Sequence, residues 1–219
     1  MYFLLHPIAC VNLLVAKVVT DRLTFLFCVF FFVYLALNYK NPFWQRLDKN
    51  VAEWVKTSKD SIFKSRAEDI SIFGNAIFHI LFCVILSLVF LIFKHQWKTA
   101  LAVIFTLVFS WIFNRLLKIV FKRERPRKVA SNIRRRLSYC FPSGHVMASI
   151  GIYFFSAVLL QALIPFIPWY LVAFFVSFLV VITRIYLNHH FFTDVLTGVL
   201  LGVFCLDVSI WFYFYITVL

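Results

Sequence analysis

Residues 70–93 read ISIFGNAIFHILFCVILSLVFLIF, 24 positions without a charged side chain. As a helix rising about 1.5 Å per residue, such a run crosses roughly 30 Å of hydrocarbon. Five further apolar segments accompany it, at residues 23–38, 99–121, 146–164, 167–187 and 191–219. Of the 219 residues 63% are hydrophobic and 14% charged, whereas soluble domains run near half apolar and a quarter charged. An ordinary soluble fold is thereby excluded. With 5 glycines and 6 prolines the chain is not collagen-like or low-complexity either. The expectation is an all-α polytopic membrane helix bundle of about six transmembrane helices, forming one domain over residues 1–219. The 29 phenylalanines are spread along the whole chain, as suits side chains that face lipid.

Residues 1–20 are apolar but broken by His6, Pro7, Asn12 and Lys17, and lack the charged start and small-residue cleavage site of a secretory signal. They read as an interfacial N-terminal segment. Between the first two spans, Trp44, Leu47, Val51, Trp54 and Val55 recur at helical spacing, with Arg46, Lys49, Lys56 and Lys59 among them. That pattern predicts an amphipathic interfacial helix at the level of the lipid headgroups. Four of the five cysteines sit in apolar segments and Cys140 alone in a polar loop, so no disulfide framework is legible.

Short loops return paired helices to the same side. The end of the third span, the start of the fourth and the junction of the fifth and sixth therefore share one membrane face with the loop that carries Trp44 and Trp54. Three polar clusters fall at those places. Lys118 is followed after six residues by Arg125-Pro126, the fourth span opens with Pro142-Ser143-Gly144-His145, and Thr183-Arg184 is followed after five residues by His190 and after three more by Asp194.

These three clusters, in this order, resemble the signatures of the type 2 phosphatidic acid phosphatase superfamily of membrane lipid phosphate phosphatases, Lys-x6-Arg-Pro, Pro-Ser-Gly-His and Ser-Arg-x5-His-x3-Asp. The likeness covers residues 118–202, including RIYLNHHFFTDVLTG, and its one departure is Thr183 where the family usually has Ser. It implies a six-span fold and hydrolysis of a lipid phosphate. It also implies that His190 attacks phosphorus to give a phosphohistidine, that Asp194 orients it, and that His145 protonates the leaving alkoxide and then activates water. The same site with another acceptor would make a lipid phosphotransferase, and a basic cleft that only binds would make an anionic-lipid transporter, which leaves the pattern of His145, His190 and Asp194 unexplained.

The chemistry of the residues fits. Lys118, Arg125 and Arg184 supply three cations for phosphate oxygens, and the arginines can bind them bidentately. Ser143 and Gly144 stand at a helix start, where main-chain N–H groups and the helix dipole favour an anion and glycine permits close approach. His190 and Asp194 are four apart, hence on one face of a helix that begins at or before His190. The acids near the clusters are Glu124 and Asp194, too few for a two-metal site, so no metal and no cofactor is called for.

The formal charge of +13 lies mostly outside the apolar runs. It therefore points to the lipid bilayer and a membrane lipid phosphate substrate rather than to nucleic acid. The further basic residues Lys122, Arg123, Arg127, Lys128, Arg134, Arg135 and Arg136 read as a general lipid-surface patch. Basic residues are concentrated on the catalytic face, which the positive-inside rule would place in the cytoplasm. The resemblance implies instead a site on the non-cytoplasmic face, and that orientation is the expectation taken here. His189, five before Asp194, reads as a bystander to His190, and His79 and His95 as structural. Asp207 lies roughly 20 Å deeper than Asp194 and reads as a packing contact. Arg115, one turn before Lys118, reads equally as lining substrate entry or as snorkelling. Gly198 and Gly202 form a GxxxG pair expected to pack within the bundle rather than between copies.

Overall fold

The computed structural model describes residues 22–57, 61–126 and 139–218. The N-terminal segment 1–20 and the basic residues Arg127, Lys128, Arg134, Arg135 and Arg136 lie outside them. The described residues form eight α-helices: α1 Arg22–Asn38, α2 Pro42–Thr57, α3 Ser61–Ile70, α4 Ala76–Lys94, α5 Trp97–Phe121, α6 Gly144–Leu163, α7 Trp169–Tyr186 and α8 Phe192–Val218. No strand occurs among them.

Five helices, α4 to α8, are long and apolar enough to cross a bilayer. Helix α1 buries Cys28 and Leu35 beside Leu200 of α8 and turns Phe30 and Leu37 outward. At its end the chain bends by 89° into α2, which thus runs across the bundle end rather than extending the span. Helix α2 buries Val55 and keeps Phe43 and Trp54 exposed beside its basic residues, the disposition of the predicted interfacial helix. The run from residue 70 does not enter the span at once. Ser71–Gly74 form a 3₁₀ turn, and Asn75 caps α4 by accepting the N–H of Ala76. Gly74 is pressed so close to α7 and α6 that a Cβ would stand 2.7 Å from Val180 Cγ1 and 3.3 Å from His145 Cβ.

Helix α6 is the axis of the bundle: 67% of its spanning stretch is buried, against 28% for α4 and for α7. Its seam with α8 is closed by small residues. A Cβ on Gly202 would lie 2.7 Å from Ile150 Cβ, and one on Gly198 2.9 Å from the Ser143 carbonyl oxygen. The GxxxG pair therefore packs within the chain, as the sequence suggested.

The aromatic residues divide between two environments. Leu81, Ile85 and Phe93 of α4, Ile119 and Val120 of α5, and Leu171, Phe174 and Phe175 of α7 are exposed, an apolar coat far larger than a soluble monomer shows. Other phenylalanines pack against one another or into the core. Phe105 stacks on Phe212 at 3.9 Å, Phe109 and Phe113 face Phe204, and Phe141 and Phe155 are fully buried. The expectation that the phenylalanines face lipid is corrected accordingly, since stacked rings also fill the α5–α8 seam.

Candidate active site

Helix α5 ends where Lys122 takes a left-handed conformation (φ 48°) and donates its N–H to the Lys118 carbonyl. That turn aims residues 123–126 across the end of the bundle. Cys140 holds the returning chain to it, with its N–H on the Arg123 carbonyl at 2.8 Å and its thiol on the Glu124 carbonyl at 3.0 Å. The chain then enters α6 through Ser143, which is fully buried and bonds no helix N–H with its side chain.

The start of α6 differs in two respects from a simple anion cradle. The Ser143 N–H is already donated to the Asp194 carbonyl at 3.0 Å. The space that a Gly144 side chain would fill belongs to Asn114 of α5, whose Oδ1 lies 2.5 Å from the position of a Cβ. Glycine is thus required there for helix packing as well. The N–H groups of Gly144, His145 and Val146, in the first turn, have no intrahelical acceptor.

At the end of α7, the Thr183 hydroxyl donates to the Val180 carbonyl at 2.8 Å. The residue that departs from the family pattern therefore spends its hydroxyl within its own helix. Arg184 is buried and its Nε has no hydrogen-bond partner among the described residues. Asn188 adopts a left-handed conformation (φ 53°), which asparagine tolerates, and turns the chain between α7 and α8 so that His190 comes within electrostatic reach of His145. The His189 carbonyl accepts from Arg125 Nη1 at 3.2 Å.

His190 and Asp194 meet, though not along a helix face. Helix α8 begins at Phe192, two residues after His190, which corrects the four-apart argument. Asp194 reaches back as in a capping box, its Oδ2 accepting the Phe191 N–H at 2.9 Å and lying 3.5 Å from His190 Nδ1. That last separation is long for a hydrogen bond but short for an electrostatic contact. His190 is 2% exposed and its Nε2 has no partner among the described residues. Burial, outweighing the pull of Asp194 and aided by Arg125 and Lys118, lowers the His190 pKa to about 4 and keeps the ring neutral.

Two residues outside the predicted set complete this end of α8. Asp48 of α2 accepts the Thr193 N–H on Oδ1 at 2.9 Å and the Thr193 hydroxyl on Oδ2 at 2.8 Å. Arg123 donates from Nη2 to Asp48 at 2.7 Å and from Nη1 to Asp194 Oδ1 at 2.6 Å and to Thr193 Oγ1 at 2.7 Å. Burial opposes the Arg123 charge, yet Asp194 and Asp48 beside it raise its pKa above the ordinary value. Its assignment to a lipid-surface patch is corrected by these bonds, and the count of acids near the clusters gains Asp48. A signal existed. Asp48 shares the Trp44, Val51 and Val55 face of α2 by spacing, a carboxylate where an apolar residue belongs.

His145 lies within electrostatic reach of Arg184, His190, Lys118 and His79, and Arg184 of Arg125. A cavity of about 420 Å³ opens beside this cluster between α4, α5 and α6, with Lys118, Gly144, His145, Asn114 and Arg115 at the polar end and Ile80, Val108 and Trp111 beyond. His79 lines it too, with Nε2 3.3 Å from Ser149 Oγ. Arg115 is at once a lining residue and stacked on Trp111, 5.6 Å from the ring centre. Asp207 stays apart from the cluster, buried in α8.

The arrangement offers neutral imidazole nitrogen, cations and helix N–H groups around one small region, the components required to bind a tetrahedral anion and attack it. A family model described as the PAP2 superfamily matches residues 99–217. Phosphatidylglycerophosphatase B of Bacillus subtilis (strain 168) is 38% identical over 96 residues, 41% of this chain and 47% of that protein. The chain thus aligns with about half the length of that curated relative. A crystal structure described as the first transmembrane PAP2-type phosphatidylglycerolphosphate phosphatase, from Bacillus subtilis, matches with a TM-score of 0.77 at 25% identity, over 85% of this chain and 94% of that one.

Proposed function

The chain belongs to the PAP2 superfamily, and from that premise we propose that it hydrolyses the phosphate of a membrane lipid without a metal ion. The observation that carries the reading is the buried Nε2 of His190, without a hydrogen-bond partner among the described residues and set among Lys118, Arg125, Arg184 and His145.

In this reading Lys118, Arg125 and Arg184 hold the phosphate oxygens, with the Ser143 hydroxyl and the Gly144 N–H as further donors. They concentrate positive charge where the transition state gathers negative charge. His190 Nε2 attacks phosphorus and the bond to the lipid oxygen breaks. Asp194 keeps the proton on Nδ1 and stabilises the charge that develops on the ring. His145 gives a proton to the leaving oxygen, then takes one from the water that cleaves the phosphohistidine and releases inorganic phosphate. Two of the three acids near the clusters, Asp48 and Asp194, are bound to Arg123, which supports a site whose electrostatics come from cations of the chain itself.

The cavity supports an amphiphilic substrate. Ile80, Val108 and Trp111 line it and are also exposed on the apolar coat, so an acyl or isoprenyl tail can lie against them while the headgroup meets Lys118 and His145. Phosphatidic acid, phosphatidylglycerophosphate, an isoprenyl diphosphate and a lipid A phosphate all have this form. The names of the two relatives put phosphatidylglycerophosphate first. The deciding experiment is phosphate release from that panel by purified protein in detergent micelles, with and without a strong chelator. Turnover that survives the chelator is expected, and chelator-sensitive turnover or none on any of the four lipids rejects the reading.

A further inference from the structure

We propose that Asp48 and Arg123 are positioning residues for His190 that act through Asp194, and that they couple the interfacial helix α2 to the nucleophile. The inference rests on the reading of His190 as the attacking group and extends it to two residues that touch no reacting atom.

Asp48 and Thr193 are 145 positions apart in the chain, yet Asp48 is 3% exposed and makes three bonds of 2.9 Å or less, two to Thr193 and one to Arg123. Arg123 has no freedom to swing. Its guanidinium is sandwiched between the rings of Phe191 at 4.3 Å and Tyr39 at 4.8 Å, and each of its two terminal nitrogens is spent on a different acid. Burying an acid–arginine–acid chain is costly, and apolar packing would join two helices as well. What the charged chain does that packing cannot is choose between the two oxygens of Asp194. Arg123 takes Oδ1, so Oδ2 is left to the Phe191 N–H and to His190 Nδ1. Asp48 in turn keeps Arg123 from rotating into the cavity of about 470 Å³ that lies over it, lined by Lys40, Lys49 and Lys56. Because Asp48 rides on α2, whose outer face carries Phe43 and Trp54, the seat of that helix on the bilayer fixes where the carboxylate stands.

A helix staple without influence on His190 is the competing role, and Asp48→Asn separates the two. Asparagine Oδ1 still accepts the Thr193 N–H, but its amide cannot accept from Arg123. In kinetics on a lipid phosphate, Asp48→Asn, Arg123→Gln and Arg123→Lys should each lower kcat by roughly tenfold to a hundredfold, the loss typical of a misplaced reacting group. KM should stay within about threefold, and the double variant Asp48→Asn/Arg123→Gln should lose no more than the worse single, as residues acting as one unit do. A readout that needs no turnover accompanies these. In ¹⁵N-histidine spectra, with His190 assigned by His190→Gln, the wild type should hold its proton on Nδ1 and Asp48→Asn should show a mixture of tautomers. Wild-type kcat in Asp48→Asn, a rise in KM alone, or an unchanged tautomer overturns the proposal. If the wild-type protein releases no phosphate, the hydrolase reading falls, and the tautomer measurement still decides the positioning role.

Discussion

Asp194 stands 3.5 Å from His190 Nδ1 through its Oδ2 while the same oxygen accepts the Phe191 N–H at 2.9 Å. The carboxylate is thereby both the cap of α8 and the neighbour of the imidazole, so the ring is oriented by a group that the helix itself holds still. Loss of either member should show in turnover before it shows in folding. His190→Gln should lower kcat on the order of a thousandfold or more, and Asp194→Asn, which can present the wrong tautomer, by about a hundredfold or more. Thermal unfolding in detergent should find His190→Gln folded, and substantial phosphatase activity in it would remove His190 from its proposed role.

The pH behaviour of that histidine follows from its burial. Its pKa is lowered to about 4, first by desolvation and then by Arg125 and Lys118, against the opposing pull of Asp194. In the unfolded chain a histidine takes up its proton near 6.5. The folded state therefore binds fewer protons than the unfolded between those values, and stability falls as pH drops from about 6.5 toward 4. The ¹⁵N shifts of His190 should stay those of a neutral ring down to about pH 4, and the unfolding midpoint of His190→Gln should vary less with pH over that window. A ring that titrates at 6.5 contradicts the buried setting.

The sequence made the frame legible because each signature falls where a span ends, and hydropathy alone locates span ends. Helices α5 to α8 begin and finish within a few residues of the apolar runs. Asp48 and Arg123 were harder to see for a physical reason. Arg123 stands in a basic stretch whose members look alike until tertiary contacts single one out, and its partner lies on an element 75 positions away. Nor does spacing disclose that Ser143 spends its N–H on Asp194, or that Gly144 is small for the sake of Asn114. Those facts belong to pairs of helices, and periodicity describes only one helix at a time.

The α6–α8 seam yields a stability prediction. A methyl group on Gly202 would lie 2.7 Å from Ile150 Cβ and 3.0 Å from the Met147 carbonyl oxygen, and neither neighbour is the end of a flexible side chain. Gly202→Ala should therefore force the helices apart and cost about 1–3 kcal/mol, read as an unfolding midpoint lower by several degrees. Since α8 carries Asp194 at its start, kcat should fall as well. A variant as stable as the wild type would mean that the seam yields more easily than its spacing implies.

Orientation in the bilayer is tied to the direction of α8, which starts with Asp194 at the site and runs to Val218 at the other end of the bundle. With the site on the non-cytoplasmic face, the orientation that the family resemblance implies, the C-terminus is cytoplasmic. A C-terminal fusion to a reporter that works only in the cytoplasm should be active and one that works only outside it silent. The reverse pattern would place the phosphate site in the cytoplasm, in line with the basic residues Lys40, Lys49, Lys56 and Arg123 of that face.

The cavity proposed to take the lipid tail gives the last prediction. Ile80 lines it and is 48% exposed to the apolar coat, so a larger side chain there narrows the passage without invading the core. Ile80→Trp should raise KM for a long-chain lipid phosphate about tenfold, the equivalent of about 1.4 kcal/mol of lost tail contact. The effect should shrink as the chains are shortened, because a short chain does not reach past Trp111. Lys118 and His145, proposed to meet the phosphate, lie at the opposite, polar end, so kcat at saturation should change less than KM. An equal rise in KM for short and long chains would show that the headgroup end was disturbed instead, and no change for either would mean that the tail takes another route to the site.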